Sequence, residues 1–333
     1  MNYNPQDKYY KKLKAAYMIY SEHRTQQEVA EILNISRPTL ARYMDEAFEE
    51  GIVTIEVHDV RNEYVLLELE TKLKQKYQLL DAVIVECPAS SDEQAFLDAI
   101  GTAAAHYFEA ILRDNCSVGI SWGKTIEAFS THLAGRKPVR NFEVVSLVGG
   151  SLYWDSKYHS NTISQRVLDK YPGKGYFLYA PTFASSQEQY DILVSNSEVQ
   201  TVLNQAKKVD IAVVGIGGQF SQYTELAKQL NGVSLDASQL DTRLFGINSQ
   251  FLTVDGRYWT RKTLRSEDRD LQTIAQLNDL FIGLRLDDLK KIPKIMALAG
   301  GPTKHEATRA ALLGGYANIL ITDKETAEYL LNT

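Results

Sequence analysis

Apolar residues along the chain follow two different periods. Over residues 8–50 they recur at spacings of three and four. Leu13, Ala16, Tyr17 and Tyr20 mark one amphipathic helix, and Val29, Ile32 and Leu33 mark a second, with Thr25 placed as its N-cap. After the short break Asn34-Ile35-Ser36, Ser36 caps a third helix with Pro38 in its first turn and Leu40, Met44 and Phe48 turned inward. Gly51 ends that helix, and residues 52–57 alternate as a strand does. Leu66, Leu69, Leu73, Tyr77 and Leu80 then line one face of a stretch over 64–80, read either as a connecting helix or as a helix that pairs with a partner chain. From residue 81 the texture changes. Strand-like runs at 82–86, 116–121, 144–148, 176–180, 210–216, 251–254, 294–299 and 318–322 alternate with amphipathic stretches such as 96–112, 304–313 and 324–331. This alternation predicts an α/β domain with a mostly parallel sheet covered on both faces.

A length of 333 residues suggests about two domains. A composition of 44% hydrophobic and 23% charged residues excludes a disordered chain or a coiled rod. No apolar run approaches the roughly 20 residues of a membrane helix, and the first residues lack the apolar core of a secretory signal, so a cytoplasmic location is expected. Cys87 and Cys116 are too few for a disulfide scaffold, have no metal-like spacing, and read as buried free thiols. The net charge of −6 counts against a protein coated in nucleic acid. Its distribution changes that picture. Residues 1–44 hold seven Lys and Arg against four Asp and Glu, a net of +3, which leaves −9 for the rest.

The segment 24–43 has helix–turn–helix spacing, and the strand expected after Gly51 suits a winged variant. Ala30 supplies the small side chain needed where two helices cross, and Ile35 and Leu40 close a small core. The last helix would then present Ser36, Arg37, Pro38, Thr39, Arg42 and Tyr43 to DNA. Arg37 and Arg42 suit guanine edges or phosphates, and Ser36 and Thr39 suit a phosphate at the helix N-terminus. Gln26 and Gln27 open the preceding helix, which crosses the DNA backbone in such motifs. A small helical bundle without a DNA role is the plainer alternative.

In the second half, glycines follow predicted strands at Gly119 to Gly123, at Gly149-Gly150 and at Gly215 to Gly218. Such turns let backbone N–H groups approach an anion at the carboxyl edge of a parallel sheet, so a phosphorylated small molecule fits. Ala299-Gly300-Gly301-Pro302-Thr303-Lys304 repeats the pattern. Lys304 either holds a phosphate as a point charge or is a solvated lysine on a helix face. There is no dinucleotide fingerprint, Walker loop, metal-binding His pair or nucleophile elbow, so no cofactor, metal or catalytic residue is assigned.

These motifs, taken in order, resemble the SorC family of sugar-responsive bacterial transcription regulators over nearly the whole chain. The resemblance is carried by 25–30, 35–42 and 50–55, then Gly119-Ile120-Ser121-Trp122-Gly123-Lys124-Thr125, 145–150 and 210–218, then 299–304, 310–315 and 320–327. It implies a winged helix–turn–helix domain over 1–60, a linker or oligomerisation helix over 61–80, and an effector domain over 81–333. That last domain would be doubly wound and similar in fold to sugar-phosphate isomerases and deaminases. The resemblance also implies binding of operator DNA, response to a phosphorylated sugar or polyol, and a homo-oligomer, usually a tetramer. Carried over by motif, Ser121, Gly123, Lys124, Thr125, Gly149, Gly150, Gly217, Gly218 and Lys304 would lie at the ligand mouth.

One stretch departs from the family pattern. Where members have a Gly-Ala-Val-Gly-Asp-Ile-like run, this chain reads Arg243-Leu244-Phe245-Gly246-Ile247-Asn248-Ser249-Gln250-Phe251, ending at Asp255-Gly256. The acid that would bind a sugar hydroxyl is missing. Asn248 is the nearest polar replacement and adds no charge, which implies a changed or weakened effector response. The rival function is a sugar-phosphate isomerase or deaminase with an appended regulatory head. It needs a general base, for which Asp210, Asp255 and Asp323 are the acidic candidates; Asp210 opens a strand at the wrong end, and Asp323 reads as a helix cap. With so little positive charge, a single head should bind DNA weakly, which favours several heads acting together.

Overall fold

A computed structural model describes residues 8–54, 64–87, 92–136, 138–151, 155–219 and 245–333. The chain forms two compact units, Met1–Asn62 and Glu63–Thr333.

In the first unit, α1 (Lys8–Ala16) runs into a π-helical turn (Tyr17–Ser21), followed by α2 (Gln26–Ile32) and α3 (Arg37–Glu49). Local capping sets these boundaries. Thr25 accepts from the Glu28 N–H while the Glu28 carboxylate accepts from the Thr25 N–H, a reciprocal capping box. Ser36 accepts from the Thr39 N–H. In the turn, Asn34 adopts φ +52°, and the Ile35 N–H donates to the Ala30 carbonyl at 2.9 Å. The core is Ala15, Ala16, Met18, Val29, Ala30, Leu40 and Met44.

The inward face of α1 differs from the sequence expectation. Leu13, Tyr17 and Tyr20 are exposed, while Lys12 is only 3% exposed. Its ammonium is turned onto Glu46 of α3 and Glu50 at the C-cap of that helix, so an ion-paired lysine occupies the helix–helix contact that apolar periodicity assigned elsewhere. Phe48 and Ile32 are also exposed, and Phe48 meets the Tyr20 ring edge-on at 6.0 Å. Past residue 54 the strand expected over 52–57 lies outside the described residues. Val53 packs on the small core, and its N–H donates to the Ala47 carbonyl.

The second unit opens with α4 (Tyr64–Tyr77) and β1 (Asp81–Val85). It continues through α5 (Glu93–Ile111), β2 (Ser117–Ile120), α6 (Lys124–His132), β3 (Phe142–Ser146), α7 (Ser160–Lys170) and β4 (Gly173–Tyr176). Then come α8 (Gln187–Ser195), α9 (Ser197–Ala206), β5 (Ile211–Gln219), β6 (Phe245–Ile247), β7 (Gln250–Leu252) and α10 (Arg269–Leu280). The last elements are α11 (Leu286–Leu289), β8 (Lys294–Leu298), α12 (His305–Leu313), β9 (Ile319–Asp323) and α13 (Lys324–Asn332). The strands lie in the order β1-β9-β8-β5-β2-β3-β4, all parallel, and β6 and β7 form an antiparallel hairpin on the end of β5. The run expected at 251–254 is therefore one arm of this hairpin, and the run expected at 176–180 is a strand lying earlier, at Gly173–Tyr176.

Side chains along β5 alternate between two cores, as the two-residue period of a strand requires. Ala212, Val214 and Ile216 face one core, which includes Leu73 of α4, Val202 of α9, Ala307 of α12 and Leu330 of α13. Ile211 and Val213 face the other, with Phe108 of α5, Phe129 of α6 and Ile163 of α7. This is a doubly wound sheet. From β2 the chain winds outward to β3 and β4, and from β5 it winds the other way to β8 and β9. The crossing between β2 and β5 is the topological switch point, where open parallel sheets leave a crevice at the carboxyl ends of their strands.

Helix α4 packs one face on its own domain. Leu73 is fully buried, Leu66, Leu69 and Tyr77 pack on the same core, and Glu70 accepts from the Ile84 N–H of the edge strand β1. Leu80 falls after the helix and is exposed. Replacing Leu73 by Ala is expected to destabilise the domain by about 2–5 kcal/mol in chemical denaturation. Leu67→Ala, on the exposed face of the same helix, should stay within about 0.5 kcal/mol.

Candidate functional site

A cavity of about 300 Å³ opens at the switch point, the small end of the range for ligand pockets. Its walls come from three strand ends. After β2, Trp122 and Gly123 lead into Lys124 and Thr125 at the start of α6. The end of β5 supplies Gly215, Ile216 and Gly217, and the segment after β8 supplies Thr303 and Lys304. Gly123 holds φ +117°, a conformation glycine adopts without penalty, and thereby turns the chain from β2 into the N-terminus of α6. The β6–β7 hairpin adds Gly246, Asn248, Ser249 and Phe251. Its two turn residues, Asn248 and Ser249, have φ +48° and +61°, the signs of a type I′ turn.

Among the described residues, charge at the mouth comes from three side chains. The Lys124 ammonium lies 2.7 Å from Glu93, at the start of α5, and the Lys304 ammonium is 3.4 Å from the Thr125 hydroxyl. Burial pulls Lys304 down to about 8; Glu93 opposes this and Lys124 adds to it. Two lysines against one carboxylate leave the site with an excess of positive charge. Apolar walls at Leu97, Ile126 and Phe251 exclude water from part of it.

Among the motif-derived residues, Gly123, Lys124, Thr125, Gly217, Asn248 and Lys304 line this cavity. Gly218 follows Gly217 in β5. Ser121 stands behind the wall, its hydroxyl donating to Asn248 Oδ1 at 2.8 Å. Gly149 and Gly150 are not brought to the cavity. A Cβ on Gly149 would lie 2.5 Å from the Ala180 and Pro181 carbonyl oxygens, so this glycine is needed for close backbone packing. Of the acidic candidates, Asp210 pairs with Arg113 and Ser117 at the other end of the sheet, and Asp255 pairs with Arg257. Asp323 caps α13 and accepts from the Gly301 N–H at 2.8 Å, anchoring the turn that carries Lys304. Cys116 is buried; Cys87 is only half-buried, beside a neighbouring hollow lined also by Gly301 and Asp323. Sequence reading missed Glu93, Trp122, Ser249, Phe251 and Thr303. Trp122 sits inside a motif already singled out, whereas Glu93 arrives from a distant helix with no local signal.

On the first unit, Gln26, Gln27, Ser36, Arg37, Pro38 and Arg42 are exposed, and Thr39 and Tyr43 are half-buried. The Ser36 and Thr39 hydroxyls bond each other at 2.8 Å, and Gln27 donates to Glu31. The four α1 lysines are not equivalent. Lys8 joins Lys12 on Glu46, and these bonds hold the Glu46 carboxyl below its usual range. Arg37 and Arg42 thus carry the open positive charge of α3, with Arg42 only loosely near Glu46 at 3.9 Å.

A family model described as "Putative sugar-binding domain" matches residues 63–244 and 271–332. The chain belongs to that family. It is 28% identical to the deoxyribonucleoside regulator of Bacillus subtilis (strain 168) over 333 residues, and 27% identical to the sorbitol operon regulator of Klebsiella pneumoniae over 325. In each case 96% of both chains is covered. The crystal structure of the full-length SorC regulator from Klebsiella pneumoniae superposes with a TM-score of 0.70 at 26% identity, covering 96% of this chain and 98% of that one. The SorC-type kinship read from the motifs is therefore shown. Among the described residues no helix is long and apolar enough to cross a membrane.

The Lys304 environment predicts a pH profile for a phosphate monoester used as a probe of the cavity. A phosphate monoester gains its second charge as pH rises through roughly 6. Lys304 loses its proton through about 8. Affinity for such a probe, measured by titration calorimetry, should therefore rise through the first value and fall through the second. Lys304→Met should abolish the upper limb and leave the lower one.

Proposed function

We propose that the protein is a cytoplasmic, DNA-binding transcriptional regulator of a carbohydrate-utilisation operon, controlled by a phosphorylated sugar or polyol bound at the switch-point cavity. The observation that carries this reading is the cavity itself: a small, partly apolar pocket bearing two lysines and a helix N-terminus, in a chain related end to end to named operon regulators. The phosphate lies near Lys124, Lys304 and the first N–H groups of α6. An effector regulates only by binding two states of the protein with different affinity. Here it shifts the effector domain or its subunit contacts and so alters the spacing of paired heads on operator DNA.

The recognition helix is α3. Arg37 and Arg42 contact base edges or phosphates, and α2 with Gln26 and Gln27 lies across the backbone. The protein acts as a homo-oligomer, a tetramer, because one head with few free positive charges binds weakly and several joined heads bind strongly. An isomerase-type reaction finds little support. The one carboxylate among the described cavity walls, Glu93, is already paired with Lys124.

The test uses the chain's own operator DNA and the Arg37→Ala/Arg42→Ala double variant. Affinity should fall by at least about tenfold, because each good arginine contact contributes about 1–3 kcal/mol. The salt dependence should also become shallower where those contacts are to phosphate. Unchanged affinity and salt slope would remove α3 as the recognition helix. Light scattering on the purified protein reads the oligomer directly.

A further inference from the structure

The turn of the β6–β7 hairpin contains two polar residues in the same backbone conformation but in different chemical states. Asn248 is 1% exposed and bonded at both ends of its amide. Oδ1 accepts from Ser121, and Nδ2 donates to the Leu284 carbonyl at 3.0 Å. This residue, the nearest polar replacement for the family's missing acid, lines the cavity and ties the hairpin to the strand ends behind it. Ser249 is 8% exposed and lines the cavity, and its hydroxyl finds no hydrogen-bond partner among the described residues.

Two physical penalties meet at Ser249. A non-glycine residue at φ +61° is strained, and the second position of a type I′ turn is one where glycine is preferred. A buried hydroxyl without a partner forgoes the hydrogen bonds it had in water. Glycine would remove both penalties at once. A turn about χ1 that brings the enclosed hydroxyl to a ligand oxygen in the cavity would remove the second.

We infer that Ser249 Oγ is the specificity-determining group of this cavity. It hydrogen-bonds a hydroxyl, carbonyl or ring oxygen of a phosphorylated sugar or polyol whose phosphate lies near Lys124 and Lys304. The inference rests on the phosphorylated-effector reading above and adds the group that reads the rest of the molecule. It also changes what the site accepts. A carboxylate only accepts hydrogen bonds and so demands a hydroxyl donor. A serine hydroxyl both donates and accepts, so a carbonyl or ring oxygen satisfies it equally.

The experiment is calorimetric titration of the full chain with inorganic phosphate, sorbitol 6-phosphate and 2-deoxyribose 5-phosphate, and with the unphosphorylated sorbitol and 2-deoxyribose. It is run on the wild type, Ser249→Ala and Ser249→Gly. The alanine variant keeps the strained turn without the hydroxyl, and the glycine variant relieves the strain as well. Both should bind the tightest sugar phosphate about tenfold more weakly and inorganic phosphate as the wild type does. The inference is overturned if either variant keeps wild-type affinity for the sugar phosphate, or if both ligands weaken equally. A free sugar that binds as tightly as its phosphate and weakens in both variants would uphold Ser249 while removing the phosphate reading. If none of the probes binds the wild type, both readings fall.

Discussion

Strands β2 and β5 lie side by side, yet the chain leaves them in opposite directions. From β2 it turns into α6 and winds toward β3; from β5 it runs on through the hairpin and returns at β8. Parallel strands need long crossovers, and when two crossovers diverge no loop can cover the gap between their starting points. That gap exposes the α6 N-terminus, the end of β5 and the turn after β8 to one another. Among the described residues, the charged groups of the cavity come from the start of α6, the turn after β8 and the first turn of α5, which bring Lys124, Lys304 and Glu93. The site is a consequence of winding order before it is a matter of particular side chains.

Within that gap, charge and burial act against each other. Lys304 is enclosed enough for its proton to be loosened, which disfavours the cation until an anion arrives. The charge of Glu93 partly offsets this, and that of Lys124 adds to it. Asp323 lies one step back, holding the Gly301 turn by its backbone N–H rather than facing the cavity. An anion entering such a site gains more than it would beside exposed lysines, because solvent screening is reduced.

The parts legible in the sequence are those governed by nearest neighbours. Thr25, Ser36 and Asp323 cap helices as their side-chain chemistry dictates, and the buried strands read as short apolar runs because both their faces are covered. The inward face of α1 was illegible for a physical reason: its burial is decided by ion pairs to residues more than thirty positions away, which no periodicity records. Gly149 failed for another. A glycine after a strand looks the same whether it approaches an anion or, as here, the Ala180 and Pro181 carbonyls. Strand β6 has only three residues and forms because β5 extends past the sheet to meet it. Ser249 became visible only once the backbone sign at that turn and the missing partner of its hydroxyl were seen together.

Lys8 and Lys12 reach back from α1 to the carboxylates of Glu46 in α3 and Glu50 at its C-cap. Their charge contributes to the composition of the head but little to the field beyond it. A surface that offers DNA few free cations displaces few counterions on binding, and counterion displacement is what makes DNA affinity collapse as salt rises. On the DNA-binding reading proposed above, these ion pairs would make the head's affinity for DNA depend less steeply on ionic strength than its lysine count suggests.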